Sequence, residues 1–142
     1  MDPVFLFIIF GAGAIGFYMA WSIGSNDVAN SMATAVGAKA ITFRQAVLIT
    51  GVLNIVGAVF VGGHVTDTVR KGIVNTTGID NHVLLLGFVA SLLAAAIWVT
   101  LSTWKEMPIS TTHSIIGALM GFGLIAGGTS TVIWSKVGSV VA

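Results

Sequence analysis

The 142-residue sequence contains no cysteine, so neither a disulfide nor a thiolate-bound metal can contribute to its structure. Charge is nearly as scarce. Asp, Glu, Lys and Arg make up 8% of the residues, where a soluble domain carries about a quarter. A formal net charge of +1 leaves no basic field, which argues against nucleic acid as a partner. Met1-Asp2-Pro3 lacks the basic n-region of a cleavable signal peptide, so the first apolar run is expected to remain as a span. No Asp, Glu or His partners stand at the spacing of a transition-metal site. No linker, low-complexity tract or internal repeat is visible.

What remains is apolar. Hydrophobic residues make up 56% of the chain, glycine occurs 18 times and the mean hydropathy is +1.00. Several apolar stretches approach the roughly 20 residues a helix needs to cross a bilayer. The reading is an all-α integral membrane protein, multi-pass in the cell membrane, forming a single membrane repeat unit over residues 1–142. Spans are expected at about 3–21, 46–62 and 83–103, followed by a re-entrant hairpin or apolar run over about 106–134. Gly11, Gly13 and Gly16 suit close helix approach, and Trp21, Trp98 and Trp104 suit interfacial belts. Residues 22–45 are too apolar for an aqueous loop, so a broken first helix is expected, interrupted at Gly24 and Gly37 and partly at membrane depth. His64 to Asn81, with Asp67, Arg70, Lys71 and Asp80, is expected to be a polar connection. His64 and His82 would be solvated, and Arg70 and Lys71 would mark a membrane edge. Lys and Arg are balanced on either side of the second span, which leaves the orientation undecided.

Two polar constellations interrupt this background. The first is Gly24-Ser25-Asn26-Asp27-Val28-Ala29-Asn30-Ser31. On a helix, Asp27, Asn30, Ser31 and Thr34 fall at i, i+3, i+4 and i+7, so their oxygens line one face that can hold a cation or a hydrated anion. A carboxylate at membrane depth is costly, and two readings stand for it: a functional site, or a structural pair with a cation. The second is Pro108-Ile109-Ser110-Thr111-Thr112-His113-Ser114. Pro108 favours a first helical turn, and Ser110, Thr111 and Thr112 set hydroxyls beside N–H groups that lack intrahelical partners. With the positive end of the helix dipole, such groups can make an anion site without Lys or Arg, while the same run taken alone is also what an ordinary capped helix start carries. Broken helices in transporters present their N-terminal ends to anions in this way. For His113, both a proton-carrying role and a structural hydrogen-bonding role are open.

Together the two motifs resemble those of the inorganic phosphate transporter (PiT) family. The first resembles its Gly-Ala-Asn-Asp-Val-Ala-Asn signature and the second its Pro-Val-Ser-Thr-Thr-His-Ser signature. Thr68-Val69-Arg70-Lys71-Gly72-Ile73 is similar to an element of the sodium-coupled members. The resemblance implies a phosphate symporter built from two inverted repeats, working by alternating access in the lipid bilayer. Each signature occurs once here, so a second repeat half, in the same longer chain or in a homodimer, is an implied partner. Carried over by position, Ser110, Thr111 and Thr112 would bind phosphate, and Asn26, Asp27 and Asn30 would bind the coupling cation or phosphate. Asp27 and Asn30 are the candidate sodium ligands, and Ser31, Thr34, Asn54 and His113 would support them. The chain departs from the family at Ser25, in place of the usual Ala, and at Asn54, where eukaryotic-type members carry Glu. The coupling cation is read as sodium, with proton as the other option, and no further cofactor is implied.

Three rivals stand beside this reading. A membrane hydrolase would use Ser110 as nucleophile, His113 as base and Asp27 as orienter. Against it, Ser110 and His113 are only three residues apart and no Gly-x-Ser-x-Gly elbow surrounds the serine, so no enzyme is expected. The Gly-rich spans would also suit a non-transporting structural subunit or an anion channel.

Overall fold

The structure is a computed structural model that describes residues 3–141, the side chains of residues 3–5, 7, 64–72 and 140–141 excepted. The expectations for the side chains of His64, Asp67, Arg70 and Lys71 therefore lie outside the described residues. Five helices follow in order: α1 (Pro3–Gly37), α2 (Phe43–Gly72), α3 (Asn81–Trp104), α4 (Thr111–Gly127) and α5 (Trp134–Val141). Among the described residues, three segments are long and apolar enough to cross a membrane: Ile8–Gly37, Phe43–Gly63 and Asn81–Trp104.

The first helix is not broken. It runs through Gly24 without interruption for 35 residues and ends at Gly37, so the polar stretch expected after Trp21 is its second half. A glycine inside a helix costs only about 1 kcal/mol relative to alanine. Unwinding at membrane depth would instead strand several backbone donors and acceptors. The helix ends in a Schellman arrangement, with Ala40 N–H on Ala35 C=O and Lys39 N–H on Val36 C=O, both at 3.0 Å. Lys39 takes the left-handed position of that motif at φ 58°.

A capping box opens α2. Thr42 accepts from the Gln45 N–H at 3.3 Å, and the Gln45 side chain accepts from the Thr42 N–H at 2.8 Å. The helix then continues past His64 to Gly72, so half of the expected polar connection is helical and the loop begins only at Ile73. Apolar side chains such as Leu48, Ile55 and Phe60 are exposed along α2.

The interior lies between the other helices. α1 and α3 run side by side in the same direction, since Tyr18 pairs with Thr100, Asn26 with Thr103 and Asn30 with Ile109. Small residues allow the approach: Ala95, Ala96 and Val99 of α3 are buried against Met19 of α1. α4 turns back along α3, where the Ser91 hydroxyl donates to Ala118 C=O at 3.2 Å and Gly87 lies under the Phe122 ring.

A second cluster gathers Ile116 and Leu119 of α4 with Ile73, Val74, Val132 and Val137. It is closed by an antiparallel bridge between Val74 and Val132, flanked by Asn75 N–H to Thr131 C=O at 2.8 Å and Ile133 N–H to Ile73 C=O at 3.0 Å. The apolar run expected over 106–134 thus resolves into an extended link, α4, a turn and the start of α5.

Candidate functional site

The end of α3 sets the position of everything that follows it. Lys105 caps the helix, Glu106 N–H bonds to Thr103 C=O at 3.0 Å and Met107 N–H to Ser102 C=O at 2.8 Å, a second Schellman motif. Glu106 holds its left-handed position at φ 57°, where glycine is the usual occupant. The chain then crosses in extended form beside α1 and re-enters a helix at Ser110, the N-cap of α4. Pro108 therefore sits two residues ahead of the cap rather than in the first turn, as a correction to the sequence expectation. Proline disfavours helix in the residue before it, which keeps this link extended.

This path brings the two constellations into contact. The Thr111 hydroxyl donates to the Asp27 carboxylate at 3.2 Å, across 84 positions of sequence. Asn30 Nδ2 donates to Asn26 Oδ1 at 3.0 Å and points at Ile109 C=O at 3.5 Å, too long for a full hydrogen bond. Asn26 is 4% exposed, and its Nδ2 donates to Thr103 Oγ1 at 3.0 Å. A cavity of about 350 Å³ lies beside these groups, lined by Asn26, Asn30, Thr103, Glu106 and Pro108 among others. Asp27 and the first turn of α4 are not part of that lining; they meet through the Thr111 hydroxyl, which sets the positive helix end and a carboxylate within one contact.

Not every expected residue joins this group. Ser110 caps α4, accepting the His113 N–H at 3.3 Å, while His113 Nδ1 lies 2.6 Å from the same hydroxyl. Thr112 is exposed on the first turn. Ser31 spends its hydroxyl on its own helix, donating to the Asp27 backbone C=O at 2.7 Å. Thr34 is exposed one turn further on. Asn54 is exposed on α2, which packs chiefly on α1, and it does not reach the cluster within this chain. The single polar face drawn through Asp27, Asn30, Ser31 and Thr34 is therefore divided: Asp27 addresses α4, Asn30 is exposed but addresses Asn26 and the link, and Ser31 and Thr34 are exposed without reaching another element.

Thr103 is a site residue that the sequence reading missed; it also missed the supporting α1–α3 contacts of Tyr18, Ser22 and Thr100, which lie outside the site. The Tyr18 hydroxyl donates to Thr100 Oγ1 at 2.7 Å, and Ser22 Oγ lies 2.9 Å from the same oxygen. A signal for them was present. Tyr18, Ser22, Asn26 and Asn30 recur at four-residue intervals along α1, which stacks them on the side that meets α3.

The close Ser110–His113 contact shows that a three-residue separation does not keep the two apart, because an N-cap and the third helical residue face each other. A triad still does not form. Asp27 is hydrogen-bonded to Thr111, and the imidazole nitrogen nearest the serine is the one a triad would give to the acid.

Comparison with known proteins follows the same pattern. Residues 23–142 match the Phosphate transporter family. A Pyrococcus furiosus protein named as a candidate phosphate permease is 52% identical over 141 residues, covering 99% of this chain and 33% of the relative. A Plasmodium falciparum protein named sodium-dependent phosphate transporter is 38% identical, covering 98% of this chain and 21% of its own length. A solved structure titled the sodium-dependent phosphate transporter superposes with a TM-score of 0.89 at 51% identity, over 94% of this chain and 34% of that one. The chain thus spans about a third or less of these relatives.

Proposed function

Because this chain, a multi-pass membrane protein, belongs to the phosphate transporter family, we propose that it forms one repeat unit of a secondary transporter that moves inorganic phosphate with sodium. The observation that carries this reading is the Thr111–Asp27 hydrogen bond, which sets an anion-seeking helix end and a cation-seeking carboxylate within one contact of each other. Phosphate docks on the free N–H groups at the start of α4 and on the hydroxyls of Ser110, Thr111 and Thr112. Sodium, held by oxygens of Asp27, Asn26 and Asn30, offsets its charge. The names of the relatives support sodium over proton as the coupling ion.

Asp27 has a second task in this scheme. Phosphate still carries a proton near neutral pH and sulfate does not, so the carboxylate accepts the P–OH of phosphate and repels sulfate. Coupling follows from electrostatics, since each ligand relieves the charge penalty of the other at low dielectric. A second repeat, in a longer chain or a second copy, completes the site, and the two halves rock about it in alternating access. The hairpin that carries α4 is re-entrant in this arrangement. No covalent step is needed, so the protein acts as a transporter and not as an enzyme.

The test is uptake of labelled phosphate into liposomes holding this chain with its second half, with and without an inward sodium gradient and with excess sulfate. Sodium-driven, saturable uptake that sulfate does not block is the expected result. A current linear in voltage, without saturation, would refute symport in favour of an anion channel. Covalent labelling of Ser110 by a serine-directed phosphonate would favour a hydrolase.

A further inference from the structure

We propose that Thr103 is a positioning residue that sets the direction of a hydrogen-bond relay through Asn26, so that Asn30 offers a carbonyl oxygen, not an amide N–H, to the coupling cation. The inference rests on the sodium-coupled reading above and assigns a residue outside both sequence signatures.

The argument is one of proton counting. A threonine hydroxyl has a single proton, and that of Thr103 is donated to Val99 C=O one turn back in α3, at 2.8 Å. Thr103 Oγ1 can then only accept. Its neighbour is buried Asn26, which must turn its NH2 toward it, and does so at 3.0 Å. That choice leaves Asn26 Oδ1 facing the next turn of α1, where it can only accept as well. Asn30 must therefore supply an N–H, and its Nδ2 donates at 3.0 Å while also pointing to Ile109 C=O. Both contacts use the amide nitrogen of Asn30. Its Oδ1 is left without a protein partner among the described residues, beside the cavity that Asn26, Thr103 and Glu106 also line.

Reversing any link reverses all of them. Were Asn26 alone flipped, two donors would face each other at Asn30, and Thr103 could answer the new acceptor only by withdrawing its proton from Val99 C=O. A cation needs an oxygen and an anion needs an N–H, so the relay decides which ligand Asn30 serves. Thr103 does this without touching either ligand.

Thr103→Val keeps the shape and removes the acceptor, whereas Thr103→Ser keeps the hydroxyl. In sodium-driven phosphate uptake by the complete transporter, T103V is expected to raise the half-saturating sodium concentration about tenfold, the loss of roughly one hydrogen bond's worth of fixed geometry. The half-saturating phosphate concentration measured at saturating sodium should change less than twofold, and T103S should stay within twofold of the parent in both.

Thr100→Val serves as the packing control. It removes a hydroxyl that bonds α1 to α3 one turn away from the relay, and should leave sodium dependence unchanged. Should T103V fail to fold, Thr103→Cys retains the size with only a weak acceptor and is expected to shift sodium dependence in the same direction.

An unchanged sodium dependence in the folded Val or Cys variant would overturn the relay, as would an equal shift in T100V or in T103S. If the parent itself shows no sodium-driven uptake, the transport reading falls instead, so the two failures are distinct.

Discussion

The α3–α4 seam determines where the N-terminus of α4 meets Asp27, and Gly87 is its tightest point. A Cβ built on Gly87 collides with the Phe122 ring, whose other neighbour is Phe88 at a centroid distance of 5.8 Å and a tilt of 57°. For Gly87→Ala two effects oppose each other. Helix propensity favours alanine by about 1 kcal/mol. Overpacking costs about 2 kcal/mol, and displacing the ring from its aromatic partner about 1 more. The balance is a destabilisation of about 2 kcal/mol, small-residue contacts being what holds membrane helices together. Gly117, on α4, is the matched control, because an added Cβ there meets nothing within 4 Å. Gly117→Ala keeps only the propensity term and should stabilise by up to about 1 kcal/mol. The assay is reversible unfolding of both variants and the parent in detergent micelles, followed by helical circular dichroism. Equal shifts in the two variants, or a Gly87→Ala protein as stable as the parent, would refute the steric account of the seam.

Other substitutions probe the site and its supports. Asp27→Asn should abolish either sodium dependence or the preference for phosphate over sulfate, and uptake by that variant with both properties intact would remove Asp27 from its assigned role. Ser110→Ala deletes the α4 cap, so a loss of about 1 kcal/mol in unfolding is expected together with a several-fold rise in half-saturating phosphate. Glu106→Gly should stabilise the chain by roughly 0.5 kcal/mol, since relief of a left-handed residue, about 1–2 kcal/mol, is partly offset by glycine's greater freedom when unfolded. Thermal unfolding decides its sign. Thr42→Ala should cost about 1 kcal/mol through the α2 capping box and leave sodium and phosphate dependence untouched.

Composition and hydropathy were enough to read an all-helical membrane protein, and the two signatures were legible because polar residues are so rare around them. The junction between Asp27 and Thr111 could be anticipated only through the family resemblance, since nothing local links positions 84 apart. The break expected at Gly24 failed because local glycine chemistry was weighed without the partners that Asn26 and Ser22 find on α3, which satisfy their side chains without unwinding α1. α2 outran its expected end for a related reason: polar residues from His64 onward lower hydropathy without removing the ability to form a helix. Thr103 went unseen because a threonine closing an apolar helix has no mark of its own. The four-residue ladder on α1 could have exposed the seam it belongs to, though not the partner.

The bridge between Val74 and Val132 gives the hairpin a fulcrum. α4 is anchored at its far end by that pairing, along its length by α3, and at its near end by side-chain contacts such as Thr111 with Asp27. Its 17 residues make an arm of about 25 Å, so a pivot of only about 10° at the bridge carries the N-cap through roughly 4 Å, enough to part Thr111 from Asp27. Small rotations at the anchored end are thereby magnified at the end proposed to hold phosphate, and a crosslink across the bridge should stiffen that end without touching it.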